Sequence, residues 1–131
     1  MKYSRIDIGL LIIRVVIGGC MLAFHGIGKL VGGVETWTAV GNAMQNIGIN
    51  FMPTVFGFTA GLVETLGSLF LILGLWTKPS AVLLAITMFI AALNHLNGGD
   101  SLSVASHAIE FLGIFVAFAI MGPGKISVDK K

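Results

Sequence analysis

Charge is scarce in this sequence. Of 131 residues only 8 are Lys or Arg and 6 are Asp or Glu, against a hydrophobic content of 56%. So little polar surface cannot clothe a water-soluble globule of this size, and a mean hydropathy of +0.96 excludes an ordinary soluble domain. Cysteine is nearly absent. Cys20 alone excludes an intrachain disulfide and any cysteine-based metal cluster, which leaves packing as its default role. No basic patch stands behind the net charge of +2, so nucleic acid is not an expected partner. No flavin, haem-attachment or cysteine-pair motif is present either. Any electrons handled by this chain would come from a partner protein or a bound cofactor.

What the sequence does have is long apolar runs. Low-charge stretches at residues 8–31, 55–76, 81–96 and 103–121 each approach the roughly 20 residues that cross a hydrocarbon core, the third being the shortest. Their apolar residues are continuous and do not alternate, which predicts helices and not barrel strands. The expected fold is all-α: a four-transmembrane-helix bundle, one domain over residues 1–131, with the lipid bilayer as its main partner. Ile17-Gly18-Gly19-Cys20 loosely resembles a lipoprotein cleavage box, but the apolar run continues through Met21-Leu22-Ala23-Phe24. The segment therefore reads as a retained first span.

Lys and Arg in short loops set orientation. In a four-span layout Lys2, Arg5, Lys78, Lys125, Lys130 and Lys131 share one side, while Arg14 and Lys29 belong to span one. Both termini and the Lys78 turn are thus predicted cytoplasmic, with residues 32–54 and 97–102 outside. Pro79 suits the first turn of span three, and Asn97-Gly98-Gly99-Asp100 suits a tight outer turn. In the longer connector, Trp37, Val40, Met44 and Ile47 recur at helical spacing opposite Thr38, Asn42 and Gln45. This predicts a short interfacial helix between spans one and two, either a roof over the bundle or a connector anchored by Trp37. The Gly57-x-x-x-Gly61 spacing suits close helix approach, within the chain or between copies, so a homo-oligomer stays open.

Ionisable residues in hydrocarbon are costly unless paired or hydrated, so each is a candidate functional group. They are Arg14, His25 and Lys29 in span one, Glu64 in span two, His95 at the end of span three, and His107 and Glu110 in span four. At the helical rise, His25 lies roughly 9 Å below its outer end, Glu64 about 13 Å, His107 about 6 Å and Glu110 about 10 Å, with His95 at the rim. The expectation is one polar layer in the outer half, with Arg14, Gly18 and His25 on a single inward stripe. Arg14, about 9 Å from the inner end, either snorkels or pairs with Glu64. Three uses fit this layer. His107-x-x-Glu110 with His25, Glu64 and His95 has donors for a divalent metal; the same groups could bind quinone oxygens and relay protons; or Glu64 with Lys29 or Arg14, and Glu110 with His107, are salt bridges that only fix register.

The combination Arg14-x-x-x-Gly18, His25-Gly26-x-x-Lys29-Leu30, Glu64-x-x-Gly67, Leu73-Gly74-Leu75-x-Thr77, a histidine near the end of span three, and Gly122-Pro123-Gly124-Lys125-x-Ser127-x-Asp129 resembles the DoxX family of small bacterial membrane proteins. It departs from the family at Ser68, where a second glycine is usual, and at Ser106-His107-Ala108-Ile109-Glu110, where an Asn-Gly-Tyr-Glu-like run is common. The resemblance implies a multi-pass protein of the bacterial inner membrane. It also implies quinone-dependent redox chemistry, through relatives such as the DoxD-type subunit of thiosulfate:quinone oxidoreductase, catechol and quinone resistance proteins, and oxidative-stress membrane complexes. The leading expectation is therefore a quinone or similar small redox molecule held by His25, Lys29, Glu64, His95, His107, Glu110 and Arg14, in a subunit of a quinone-linked oxidoreductase served by a redox partner protein. A divalent metal is the lesser alternative for the pocket. An anchoring subunit and a small-solute transport element are the alternatives for function.

Overall fold

A computed structural model describes residues 2–129; Lys130 and Lys131, counted above for orientation, lie outside the described residues. Ser4 opens the first helix with a capping box, its hydroxyl accepting from the Asp7 N–H at 3.1 Å while Asp7 accepts from the Ser4 N–H at 2.9 Å. Helix α1 (Arg5–Met21) runs through a π-helical turn (Leu22–Gly26) into α2 (Ile27–Val31), and together they form a 27-residue span. Helix α3 (Gly33–Gly41) and a 3-10 turn (Asn42–Ile47) form the connector. Helices α4 (Pro53–Leu73), α5 (Thr77–Asn97) and α6 (Leu102–Met121) complete the chain. Four helices are long and apolar enough to cross a membrane, and no strand occurs among the described residues. Phe24, Val31 and Ile120 stay exposed on these spans, a surface suited to hydrocarbon and not to water. The chain is a multi-pass, all-helical membrane protein.

Two span limits differ from the hydropathy reading. The second span stops at Leu73 because Gly74, at φ +69°, turns left-handed and lets Leu75 N–H reach back to Phe70 O at 2.9 Å. The third is not the shortest; it begins at Thr77 and equals α4 in length at 21 residues. Its start is capped from far along the chain: the Asp129 carboxylate accepts from Trp76 N–H at 2.8 Å and Thr77 N–H at 3.0 Å.

Helix α4 is the hub, packing against the first span, α3 and α5, while α5 pairs with α6. Leu71, Leu84, Phe115 and Phe118 fill the centre. The last described residues fold across the end of the bundle that carries both termini. There Asp7 accepts from Lys125 N–H at 2.9 Å, Arg14 donates to the Ile126 carbonyl, and Val128 and Asp129 N–H groups bond Leu73 O and Gly74 O at 3.2 and 2.9 Å. We call this the terminal end and the opposite one the distal end.

The connector is seated at the distal end by backbone contact. A Cβ added at Gly57 would fall 1.6 Å from Trp37 O, and one at Gly41 would fall 1.6 Å from Pro53 O. The Trp37 indole donates to Lys29 O at 2.9 Å and so ties α3 to the first span; it is not a free membrane anchor. On the other side, Asn46 joins the connector to Asn94 and Asn97 of α5 at 3.2 and 2.9 Å. Gly57, at the first position of the Gly57-x-x-x-Gly61 pair, thus packs within the chain. Because backbone cannot yield as a side chain can, Gly57→Ala should cost about 3 kcal/mol, at the upper end for overpacking. Thermal unfolding in detergent measures this, and a loss below about 1 kcal/mol would contradict the close seating.

Candidate functional site

The buried stripe of the first span explains how the polar residues are distributed. Asp7, Leu10, Arg14, Gly18 and Met21 follow helical spacing and bury against the bundle, so the next buried position should be His25. The π-helical turn inserts one residue, with Ile27 N–H bonded to Leu22 O, and Gly26 takes that place instead. Gly26 sits flush on α4: a Cβ there would lie 2.8 Å from Glu64 C and Thr65 N. Gly61 returns the fit, with Leu30 N 3.1 Å from its added Cβ. The two backbones therefore meet at the level of Glu64, and Lys29 reaches it directly. His25 is turned aside toward α6.

The predicted single layer consequently divides. Lys29 Nζ and Glu64 Oε1 form an ion pair at 2.8 Å, in which Glu64 has no exposed surface. His25 stacks with His107 at a ring-centroid distance of 4.8 Å, and Phe111 lies 4.8 Å from His107 and 6.0 Å from His25. His95 turns to the distal loop, where Nδ1 meets Asp100 Oδ2 at 2.8 Å. Glu110 points outward from α6, exposed, and the expected Glu110–His107 bridge within the chain is not formed. Arg14 lies at the terminal end, buried, donating to Ile126 O and within the attraction of the Asp129 carboxylate. It neither snorkels nor meets Glu64. Among the described residues no three His, Cys, Asp or Glu side chains converge, so the metal shell drawn from His25, Glu64, His95, His107 and Glu110 is not assembled.

What remains as a site is a cleft of about 200 Å³ between the connector, α4 and α5. Val40 and Met44 roof it; Phe56, Ala60 and Val63 form one wall and Leu83, Ile86 and Ile90 the other. Lys29 and Glu64 are its charged lining groups, with Thr59 and Thr87 as further polar ones. Its lining residues Thr59 and Ile86 are exposed on the lipid-facing surface, so the cleft is open to hydrocarbon and not only to water. Glu64 Oε1 is satisfied by Lys29, and Ser68, the residue at the family's usual glycine, donates to the Glu64 carbonyl. Glu64 Oε2 is buried with no hydrogen-bond partner. A buried acceptor left open costs roughly 1–3 kcal/mol, more when charged, and a bound donor would recover it. An apolar slot with one ion pair and one spare acceptor has the make-up of a small-molecule pocket.

Sequence reasoning had Lys29 and Glu64 among its candidates and a roof over the bundle as one of its two readings of the connector, but it missed the tie from Trp37 and the work of Asp7 and Asp129 at the terminal end. The Gly26 that follows His25 and the Gly57-x-x-x-Gly61 spacing were the local signs of close backbone approach. Comparison with curated proteins and with solved structures gives no match. The DoxX family matches residues 9–97, which takes in the first three spans, the connector and both members of the Lys29–Glu64 pair, with α6 and the closing segment beyond the matched range; the chain belongs to the DoxX family.

Proposed function

We propose that the protein binds a quinol or quinone, or a similar small redox molecule, in the cleft between the connector, α4 and α5. One observation carries this reading: the fully buried Glu64 has an unpartnered Oε2 in an otherwise apolar cleft open to lipid. A quinol hydroxyl supplies the missing donor. Lys29 has N–H donors beyond the one given to Glu64 and can serve a quinone carbonyl, while the apolar walls suit the ring. A lipid-soluble ligand enters from the hydrocarbon without crossing water. Electrons would be exchanged with a partner protein, which makes the chain a subunit of a quinone-linked system in a bacterial inner membrane. The basic residues Lys2, Arg5, Lys78 and Lys125 gathered toward the terminal end support a cytoplasmic placement of both termini. Transport fits less well. Met21 and Leu71, both wholly buried, stand between the Lys29–Glu64 level and Arg14, so the ionisable groups do not form a path from end to end.

Binding of a short-chain quinol to the protein in nanodiscs should weaken at least tenfold in Glu64→Gln, which keeps the shape but surrenders the charged acceptor, a loss of about 1.4 kcal/mol or more. Absence of binding, or equal binding by the variant, overturns the proposal.

A further inference from the structure

The carboxylate of Glu110 has no place to go within its own chain. It stands eight residues into α6, about 12 Å below the distal end of that helix and so within hydrocarbon depth. It is exposed on the bundle surface and, among the described residues, has neither a hydrogen bond nor an ion pair. A lone carboxyl against lipid tails is costly, and a glutamate side chain is too short to reach the interface from that depth. Intramembrane ionisable groups turn toward protein. Since this one turns away from its own bundle, the protein it meets belongs to another subunit.

The same surface carries the complement. His107 lies one helical turn nearer the distal end and is likewise exposed. Its ring is held by His25 and Phe111, yet neither ring nitrogen has a hydrogen-bond partner among the described residues. On the other flank of Glu110, Gly113 keeps the surface low, with nothing within 4 Å of an added Cβ. We propose that this face of α6 is a homodimer interface, in which Glu110 of each copy accepts a hydrogen bond from His107 of the partner subunit.

Symmetry selects the occupant. Two parallel copies related by a two-fold axis along the bilayer normal present like heights to each other, and positions 107 and 110 differ by only about 4.5 Å in height. One donor and one acceptor on each copy then pair twice, which is the self-complementarity an isologous contact requires. An unrelated membrane helix would have to bring the same two groups in the same order. A second copy brings them by symmetry.

In nanodiscs or mild detergent the wild-type chain should have twice the monomer mass. Gly113→Cys on a Cys20→Ala background should oxidise to a covalent dimer in native membranes. E110L suits lipid, so it should fold at least as well as wild type while weakening dimerisation at least tenfold. H107E sets carboxylate against carboxylate and should do the same, and the exchange H107E/E110H should restore the cross-link. A wild-type monomer at every concentration, a dimer indifferent to E110L, a folded exchange variant that fails to re-form the dimer, or a cross-link to a different protein in place of self would each overturn the proposal. None of these readouts depends on what the Lys29–Glu64 cleft binds.

Discussion

Lys29→Met should destabilise the protein by about 3–5 kcal/mol, the usual consequence of removing one member of a buried ion pair. The reason lies in the asymmetry of the pair. Lys29 keeps 27% of its side chain exposed and can find other company, but Glu64 has no exposed surface, and its only ionic partner among the described residues is Lys29 at 2.8 Å. Deleting the ammonium therefore strands a carboxylate whose second oxygen already lacks a donor. The double variant Lys29→Met, Glu64→Leu should recover most of the loss, because a matched apolar pair carries no desolvation penalty. Unfolding in SDS or by heat measures both. If the single variant lost less than about 1 kcal/mol, Glu64 would not be a charged group held by Lys29, and the chemistry assigned to the cleft would lose its basis. The double variant also separates fold from function: it should be stable and yet bind no quinol, whereas a pair that only fixes helix register has no reason to alter binding.

The spans and their order were legible in the sequence because hydrocarbon imposes a length and a composition that each run meets nearly alone. The connector helix was legible from the spacing of Trp37, Val40 and Met44, which are half-buried, although Ile47 of the same stripe is exposed. Face arithmetic failed in α6, where His107 and Glu110 are both exposed, and in the first span. It assumed 3.6 residues per turn throughout the first span, and the π-helical turn at Leu22–Gly26 put Gly26 where His25 was expected. No propensity of Leu-Ala-Phe-His-Gly dictates that turn; the backbone contact between Gly26 and Glu64 is what rewards it. Depth along a helix does not give azimuth. Glu64 faces inward from the hub helix, whereas Glu110 sits on the outer face of α6. The principle that buried charges face protein placed Glu110 inside one chain, and it holds equally if the protein is a second copy.

The caps at the terminal end were illegible for a different reason: they join residues more than fifty positions apart. Asp7 meets Lys125, Arg14 meets Ile126, and Asp129 caps α5. A sequence window sees only a lone arginine in an apolar run, and snorkelling or pairing with the nearest intramembrane carboxylate is the natural reading. The closing segment supplies a carbonyl to Arg14 Nη2 and a nearby negative charge, while Nε and Nη1 stay buried without a hydrogen-bond partner, and this removes Arg14 from the cleft.

That arrangement makes Asp129→Ala the second large effect. The carboxylate does two things at once: it receives the Trp76 and Thr77 N–H groups that open α5, and it offsets the charge of Arg14, which is 1% exposed. Loss of the cap should cost about 1 kcal/mol and loss of the counter-charge about 3 kcal/mol, so Asp129→Ala should approach 4 kcal/mol in unfolding experiments. Asp129→Asn keeps an acceptor for one N–H without the charge, and should fall between wild type and Ala. Arg14→Met combined with Asp129→Ala should cost less than the sum of the two single changes by about 2–3 kcal/mol, the signature of two residues that act on each other. Additivity to within about 0.5 kcal/mol would show instead that the cap works alone. Arg14 and Lys29 are 15 residues apart, about 22 Å along the first span. Quinol binding to whatever fraction of Asp129→Ala remains folded should therefore keep its wild-type affinity, because the proposed site lies in the distal cleft and the terminal end secures the bundle.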